Sequence, residues 1–391
     1  MATTTPDPAP ARRDTRSTSP EYAALLACTR LGVAADDLRA ALARVTDWPR
    51  LRDLAIHQSV LPLFFTTLSP HRDLVPQALF EEVRLINQAN AERSLRQAVA
   101  LLRIITALGA RHITALPYKG PVLSERAYGE ITMRYFQDLD LFVARSQVAE
   151  ACEVLAGLGI AATRRPADDA HTRDGQFHDI LEGHDLLVEV HWRTGPAFVP
   201  AVFDAEELLR RAQPGTLLGH PIFVLRPSDD LLALCVHGDA HRWAQLEHVA
   251  TLARVLAGGA YGRPDRFVRR ARARGALRRC LVGFALARDL AGAPLPPEFT
   301  EALAADAGAC ALARKAAELI ETSDDLGDTR LISTLWRARS LDRRWDGARL
   351  AALQVFAPRD QGMMDHGESN QPVAWEIFQR VRYLQKSLRR R

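Results

Sequence analysis

From residue 20 to about 108, apolar positions recur every three or four residues, the period of an α-helix. Leu95, Val99, Leu102 and Ile105 are the last such stripe and run into Gly109, a helix stop signal. Beyond it the period changes. Residues 113–118 are a short apolar run that reads as a strand, and Lys119-Gly120-Pro121 leads into a helix ending near Tyr128. Residues 138–143 alternate charged and apolar positions, as a strand with one buried face does. Ser146 is suited to cap a helix that ends near Leu158-Gly159. Strands are expected at 160–163, 177–181 and 186–192, with a hairpin turn over 182–185 around Gly183. A further edge strand is expected at 217–225. After Pro227, Ser228 is placed to cap a helix over 229–243, and helical patterning continues to about Ile332.

These changes of period divide the chain. Residues 1–19 carry Pro, Thr, Ser and charge without apolar period and are expected to be a disordered tail. An N-terminal helical block follows over 20–97, an α/β core over 98–226 and a C-terminal helical block over 227–340. The last segment, 341–391, holds the loop-like Gly362-Met363-Met364 and Asp365-His366-Gly367, then a basic amphipathic helix ending in Arg389-Arg390-Arg391. There is no internal repeat. The expected fold class is α+β and helix-rich, with a small mixed β-sheet core flanked by N- and C-terminal helical blocks.

Composition narrows the class. With 391 residues, 47% hydrophobic and 25% charged, the chain reads as a globular protein with a sizeable core. No apolar run is long enough to span a bilayer and no secretory signal pattern opens the chain, so no membrane partner is expected. The five cysteines are scattered and form no CxxC pair, which argues against a zinc site or a disulfide framework. The reading is a reduced, cytoplasmic protein. A net charge of +4 is too small to indicate nucleic acid by itself. Only three lysines occur, Lys119, Lys315 and Lys386, against 48 arginines, the bias of a GC-rich genome. Where Arg is the default cation, Lys119 suits chemistry that wants a compact charge on one phosphate oxygen. Chance retention is the even alternative.

The chemistry concentrates in Gln137-Asp138-Leu139-Asp140-Leu141-Phe142-Val143. Side chains two apart in a strand share a side, about 7 Å apart at the Cα atoms. Two carboxylates held so close are unfavourable unless a cation lies between them, and such a pair holds Mg²⁺ against nucleotide phosphates. Leu186-Leu187-Val188-Glu189-Val190-His191-Trp192 places a single Glu in a second apolar strand, where it would complete a two-metal site. The bland alternative makes Asp138 and Asp140 solvent-facing strand residues. Against it, Leu139, Leu141 and Val143 supply the alternate face to be buried.

The ordered set Lys119-Gly120-Pro121-Val122-Leu123, Tyr128, Arg134-x3-Asp138-Leu139-Asp140 and Glu189-Val190-His191-Trp192 resembles the uncharacterised bacterial nucleotidyltransferase family. That family is assigned to the DNA polymerase β-type nucleotidyltransferase superfamily. The resemblance extends over residues 20–310 in layout, with its specific motifs in 116–193. It implies a metal-dependent transfer of NMP from an NTP to an acceptor. Asp138 and Asp140 would ligate two Mg²⁺ ions, with Mn²⁺ an alternative, and Glu189 would ligate the catalytic one. Lys119, Gly120, Arg134 and His191 would contact the nucleotide. The acceptor is not legible: a small molecule, a peptide or protein side chain, or an RNA end. Two departures stand out. The superfamily usually carries Gly-Ser where this chain has Lys119-Gly120. The family often places an Asp after a Trp-x-x-Leu, and here Trp243-x-x-Leu246 is followed by Thr251.

Other readings compete. Arg134 can simply pair with Asp138 or Glu130, His191 and Trp192 can be packing residues, and Tyr128 reads as core. His237 and His241 have metal-ligand spacing but no HExxH glutamate, so a structural helix is the stronger reading. Residues 263–279 hold eight arginines and one Asp, which suits an anionic acceptor or RNA, or a solvated amphipathic helix. A non-catalytic nucleotide-binding scaffold and an RNA-binding protein are the alternative functions.

Overall fold

The computed structural model describes residues 18–162, 177–195, 199, 203–322, 330–343, 345–348 and 350. The expected tail up to residue 17, Thr163, the 362–367 loop and the basic C-terminal helix lie outside the described residues. The chain is helix-rich with a small mixed sheet, the expected class.

Four short helices open the chain: α1 (Pro20–Thr29), α2 (Ala35–Ala43), α3 (Trp48–His57) and α4 (Leu61–Leu68). Local chemistry sets their starts. Ser19 Oγ accepts the Tyr22 N–H at 3.2 Å and Asp47 accepts the Arg50 N–H at 2.9 Å, with Pro20 and Pro49 in the first turns. Helix α5 (Gln77–Ala110) then runs unbroken through the expected block boundary at 97/98.

The buried face of α5 corrects the sequence reading. Leu95 and Val99 are 45% and 48% exposed, while Asn90, Ser94, Gln97, Ala98, Leu101, Ile104 and Leu108 face inward. The reason lies in the backbone that α5 covers. The Asn90 amide donates to the Thr132 and Arg134 carbonyls, each at 3.3 Å, and the Gln97 amide to the Gln137 carbonyl at 3.2 Å. Asn90 and Gln97 are buried here because they satisfy the segment that leads into the aspartate strand.

The centre of the fold follows: β1 (Leu116–Tyr118), α6 (Gly120–Tyr128), β2 (Asp138–Phe142), α7 (Val148–Gly157), β3 (Ala161–Ala162), β4 (His178–Gly183) and β5 (Leu186–His191). The sheet order is β1-β2-β5-β4-β3, with β2 and β5 parallel and the other pairs antiparallel. His184 and Asp185, both at positive φ, form the two-residue turn between β4 and β5. Ser146 does not cap α7; it lies in the short 3₁₀ turn Arg145–Gln147 that precedes the helix.

Helix α8 (Ala205–Arg211) leads to β6 (Gln213–Leu217) and β7 (His220–Val224). The single edge strand expected at 217–225 is instead the second half of a separate hairpin. It turns at Leu218-Gly219, both at positive φ, which Gly219 adopts without strain. Helix α9 (Pro227–Ala240) starts two residues before the expected 229, with Pro227 in its first turn and Arg226 in the cap position, so Ser228 is already helical. The remaining helices are α10 (Leu246–Ala257), α11 (Pro264–Ala273), α12 (Leu277–Asp289), α13 (Pro297–Ala304), α14 (Ala307–Thr322) and α15 (Arg330–Ser340). Among the described residues no helix is long and apolar enough to cross a membrane.

The basic stretch 263–279 divides at Gly275 into α11 and the start of α12. Arg270 pairs with Asp229, Arg274 with Glu207 and Arg278 with Asp306, and the buried Arg279 lies 3.1 Å from Asp239. Much of its charge is therefore met inside the molecule.

Two apolar clusters hold the fold. One lies behind the sheet, where Leu139, Leu141, Leu181, Val188 and Val190 meet α5, α7 and the β6–β7 hairpin. The other joins α1–α4 to α9–α14 and reaches Leu116, Tyr118 and Phe142 on the front of the sheet. The two helical blocks thus share one core. The Gln58 amide donates to the Ile320 carbonyl at 3.2 Å, and its oxygen accepts the Leu246 N–H at 2.7 Å.

Candidate active site

Period-two alternation sends Leu139 and Leu141 into the rear core and leaves Asp138 and Asp140 on the front of β2. The parallel register places Asp140 opposite Glu189 of β5. Asp138, Asp140 and Glu189 each offer a carboxylate oxygen, and the three lie within 4.8 Å of one another. Asp140 is 2% exposed, whereas Asp138 and Glu189 keep part of their surface exposed.

Lys119 and His191 meet this acidic group. Lys119, at the junction of β1 and α6, reaches Asp140 Oδ2 at 3.1 Å and passes 5.0 Å from the centre of the Tyr118 ring. His191 Nε2 lies 2.8 Å from Asp140 Oδ1 and 3.0 Å from Glu189 Oε2. Burial alone would raise the Asp140 carboxyl, but Lys119 and the His191 hydrogen bond hold it down at about 2. Burial, then the Asp140 charge, push Asp138 above the ordinary carboxylate range. Glu189 is drawn below its ordinary value despite burial, by the His191 hydrogen bond. His191 is raised despite burial, by its hydrogen bonds to Asp140 and Glu189.

Gly120 sits beside this cluster at φ +45°, at the start of α6. No side chain caps that helix end, so its free N–H groups suit an anion. Arg134 lies outside the carboxylate cluster. It is 7% exposed and bonds Glu247 of α10 through Nε and the Gly120 carbonyl through a terminal nitrogen at 3.4 Å. Thr251, where the family often has Asp, donates to Glu247 at 2.7 Å and lies 2.9 Å from the Tyr128 hydroxyl. This network ties α10 to the Lys119-Gly120 turn.

Sequence reasoning missed several residues. His178 pairs directly with His191 across the β4–β5 hairpin. Counting outward from the turn at Gly183 would have found it. Asn90, Gln97 and Glu247 carried no local signal. His248 of α10 joins His237 and His241 in a group with ring centres 4.6, 5.3 and 5.6 Å apart. Burial is the first cause that lowers all three, and the Lys119 charge adds to it; His241 is brought down to about 4.

The family described as uncharacterised nucleotidyltransferase matches residues 44–292, more than half of the chain. The chain belongs to that family. The match covers Lys119, both aspartates, Glu189 and the α10 network. No curated protein matches it. Among solved structures, it is similar to a solution structure of the antibiotic-resistance factor ANT(2'')-Ia, at 15% identity and a TM-score of 0.36, over 46% of this chain and 94% of that one. A crystal structure of ANT(2'')-Ia with adenylyl-2''-tobramycin is similar at 15% identity and a TM-score of 0.35, over 46% of this chain and 98% of that one.

Three carboxylates are the oxygen donor set that Mg²⁺ and Mn²⁺ take. The fit is supported by the mutual repulsion of the cluster, which with burial pushes Asp138 above the ordinary carboxylate range and which a bound cation would relieve. The chain therefore has a candidate acidic metal site beside a helix N-terminus.

Proposed function

We propose that this nucleotidyltransferase moves an NMP from an NTP to an acceptor oxygen, with Asp138, Asp140 and Glu189 holding two divalent ions. The observation that carries the reading is the convergence of these three carboxylates within 4.8 Å on adjacent parallel strands. Bound Mg²⁺ or Mn²⁺ would neutralise phosphate charge and make the acceptor oxygen a better nucleophile. Asp138 and Glu189, more open than Asp140, are the carboxylates that substrate would meet first. Lys119 is set to move from Asp140 to a phosphate oxygen when the carboxylates acquire another cation. The free N–H groups at the start of α6 receive the same triphosphate. Arg134 acts at one remove, by holding the Gly120 carbonyl and so the shape of the turn. Catalysis is then largely positioning and charge stabilisation. The acceptor is a small molecule, a peptide or protein side chain, or an RNA end.

Asp138→Asn is the clean test. Asp138 is the carboxylate raised by burial and by its neighbour, so a neutral amide there should leave the fold intact. Asp140 is ion-paired, and its loss would also cost stability. Pyrophosphate release from NTP is measured across candidate acceptors, beside a thermal melt. The expected result is turnover by the wild type and a loss of roughly 100-fold or more in Asp138→Asn with an unchanged melt. A variant that keeps most of the rate overturns the two-metal reading. Tight binding of Mg²⁺–NTP by the wild type with no release on any acceptor class favours the scaffold reading instead.

A further inference from the structure

The carboxylate trio shares its sheet face with a second metal-competent group of different chemistry. His178 of β4 and His191 of β5 are register partners with ring centres 4.9 Å apart. Glu189 reaches the same place. Its Oε2 is 3.0 Å from His191 Nε2 and 3.9 Å from His178 Nε2. One ligand atom from each residue fits within 4.8 Å.

Donor type separates this group from its neighbour. Mg²⁺ prefers oxygen in octahedral array and keeps its water, whereas imidazole suits Zn²⁺, Fe²⁺ and similar ions. Two histidines and one glutamate are a recognised zinc donor set. Around a tetrahedral ion with bonds of about 2.0–2.1 Å, ligand atoms stand about 3.3 Å apart. The two nitrogen distances to Glu189 Oε2 lie on either side of that value, so small side-chain rotations suffice to close the site. The side chains of His178 and Glu189 are 22% and 20% exposed, which leaves an approach for the ion and an open position beside it.

We propose that His178, Glu189 and His191 form a binding site for a divalent transition ion, with Zn²⁺ the best-matched occupant, joined to the carboxylate trio through Glu189. The site goes beyond nucleotidyl transfer, because its selectivity comes from two nitrogen ligands that the trio lacks. Through the shared Glu189, filling one group alters the other.

The test uses Co²⁺ as a visible probe for Zn²⁺ on the full chain after chelator treatment. Expected are cobalt absorption bands that saturate at one ion per chain, are displaced by Zn²⁺ and survive excess Mg²⁺. His178→Ala should weaken Co²⁺ binding by more than the roughly 10–100-fold typical of losing an outer partner of a metal ligand. His178→Gln, which keeps polarity and bulk, serves if the alanine variant melts early. Asp138→Asn, outside the nitrogen group, should retain the bands. The proposal is overturned if the wild type gives no bands, if Mg²⁺ displaces them as readily as Zn²⁺, or if they persist in both His178 variants. Bands lost in Asp138→Asn but kept in His178→Ala would also overturn it, by placing cobalt in the trio. Pyrophosphate release is a separate readout, so failure here leaves the transfer reading standing, and the reverse.

Discussion

Lys119 has φ +59° and ψ −138°, a backbone region that is essentially reserved for glycine. A lysine held there implies about 1–3 kcal/mol of local strain. What it gains is placement: the ammonium reaches Asp140 at 3.1 Å from the strand-to-helix junction. Two substitutions separate backbone from charge. Lys119→Ala and Lys119→Gly both remove the ammonium, but only glycine relaxes the backbone. We expect Lys119→Gly to be more stable than Lys119→Ala by about 1–3 kcal/mol in denaturant titrations, the reverse of the usual penalty for glycine. Both should weaken Mg²⁺–NTP binding to the same degree. An alanine variant as stable as the glycine one would show that the turn is unstrained.

At the scale of elements, the site is a matter of register. Strand β2 offers two aspartates, β5 a glutamate and a histidine, β4 another histidine, and pairing alone brings them together. Helix α5 secures the approach to β2. Its Asn90 and Gln97 hold three carbonyls of the 132–137 segment. Asn90→Ala should lower the unfolding free energy by about 1–3 kcal/mol, because a buried and a part-buried carbonyl lose their donor. A change of only a few tenths in a denaturant titration would mean that the segment holds itself. Asp138, Asp140 and Glu189 were legible in the sequence because strand alternation is local and the hydrophobic partners mark the face. His178 required the hairpin register as well. The inward face of α5 carries polar Asn90 and Gln97 while apolar Leu95 and Val99 lie outside, and the backbone that Asn90 and Gln97 bond, far away in sequence, is the reason. The buried partner of Arg134, Glu247, is 113 residues away, beyond any local pattern.

Across the whole molecule, two sets of histidines give stability opposite responses to pH. His237, His241 and His248 are lowered from the ordinary value, so the unfolded chain binds protons there more readily than the folded one. Their contribution is intact above about pH 6.5 and falls as pH drops through that value. His191 is raised, so its contribution is full below about pH 6.5 and is lost as pH rises through the higher folded value. Thermal melts of the metal-free protein across about pH 5–9 should therefore peak near the middle of that range. His191→Gln should flatten the alkaline limb, and His237→Gln should reduce the acid one. An alkaline limb unchanged in His191→Gln would remove His191 as its source. The core shared by α1–α4 and α9–α14 has a different consequence, for how the protein is made. Gln58 and its partner Ile320 are 262 residues apart. At about 5–20 residues per second, a ribosome needs roughly 10–50 s to pass from one to the other. Through that interval the part of the first helices' apolar surface that the late helices cover is without its final partner. The nascent chain is a natural client for chaperones that hold hydrophobic surface, and the fold closes only as the late helices emerge.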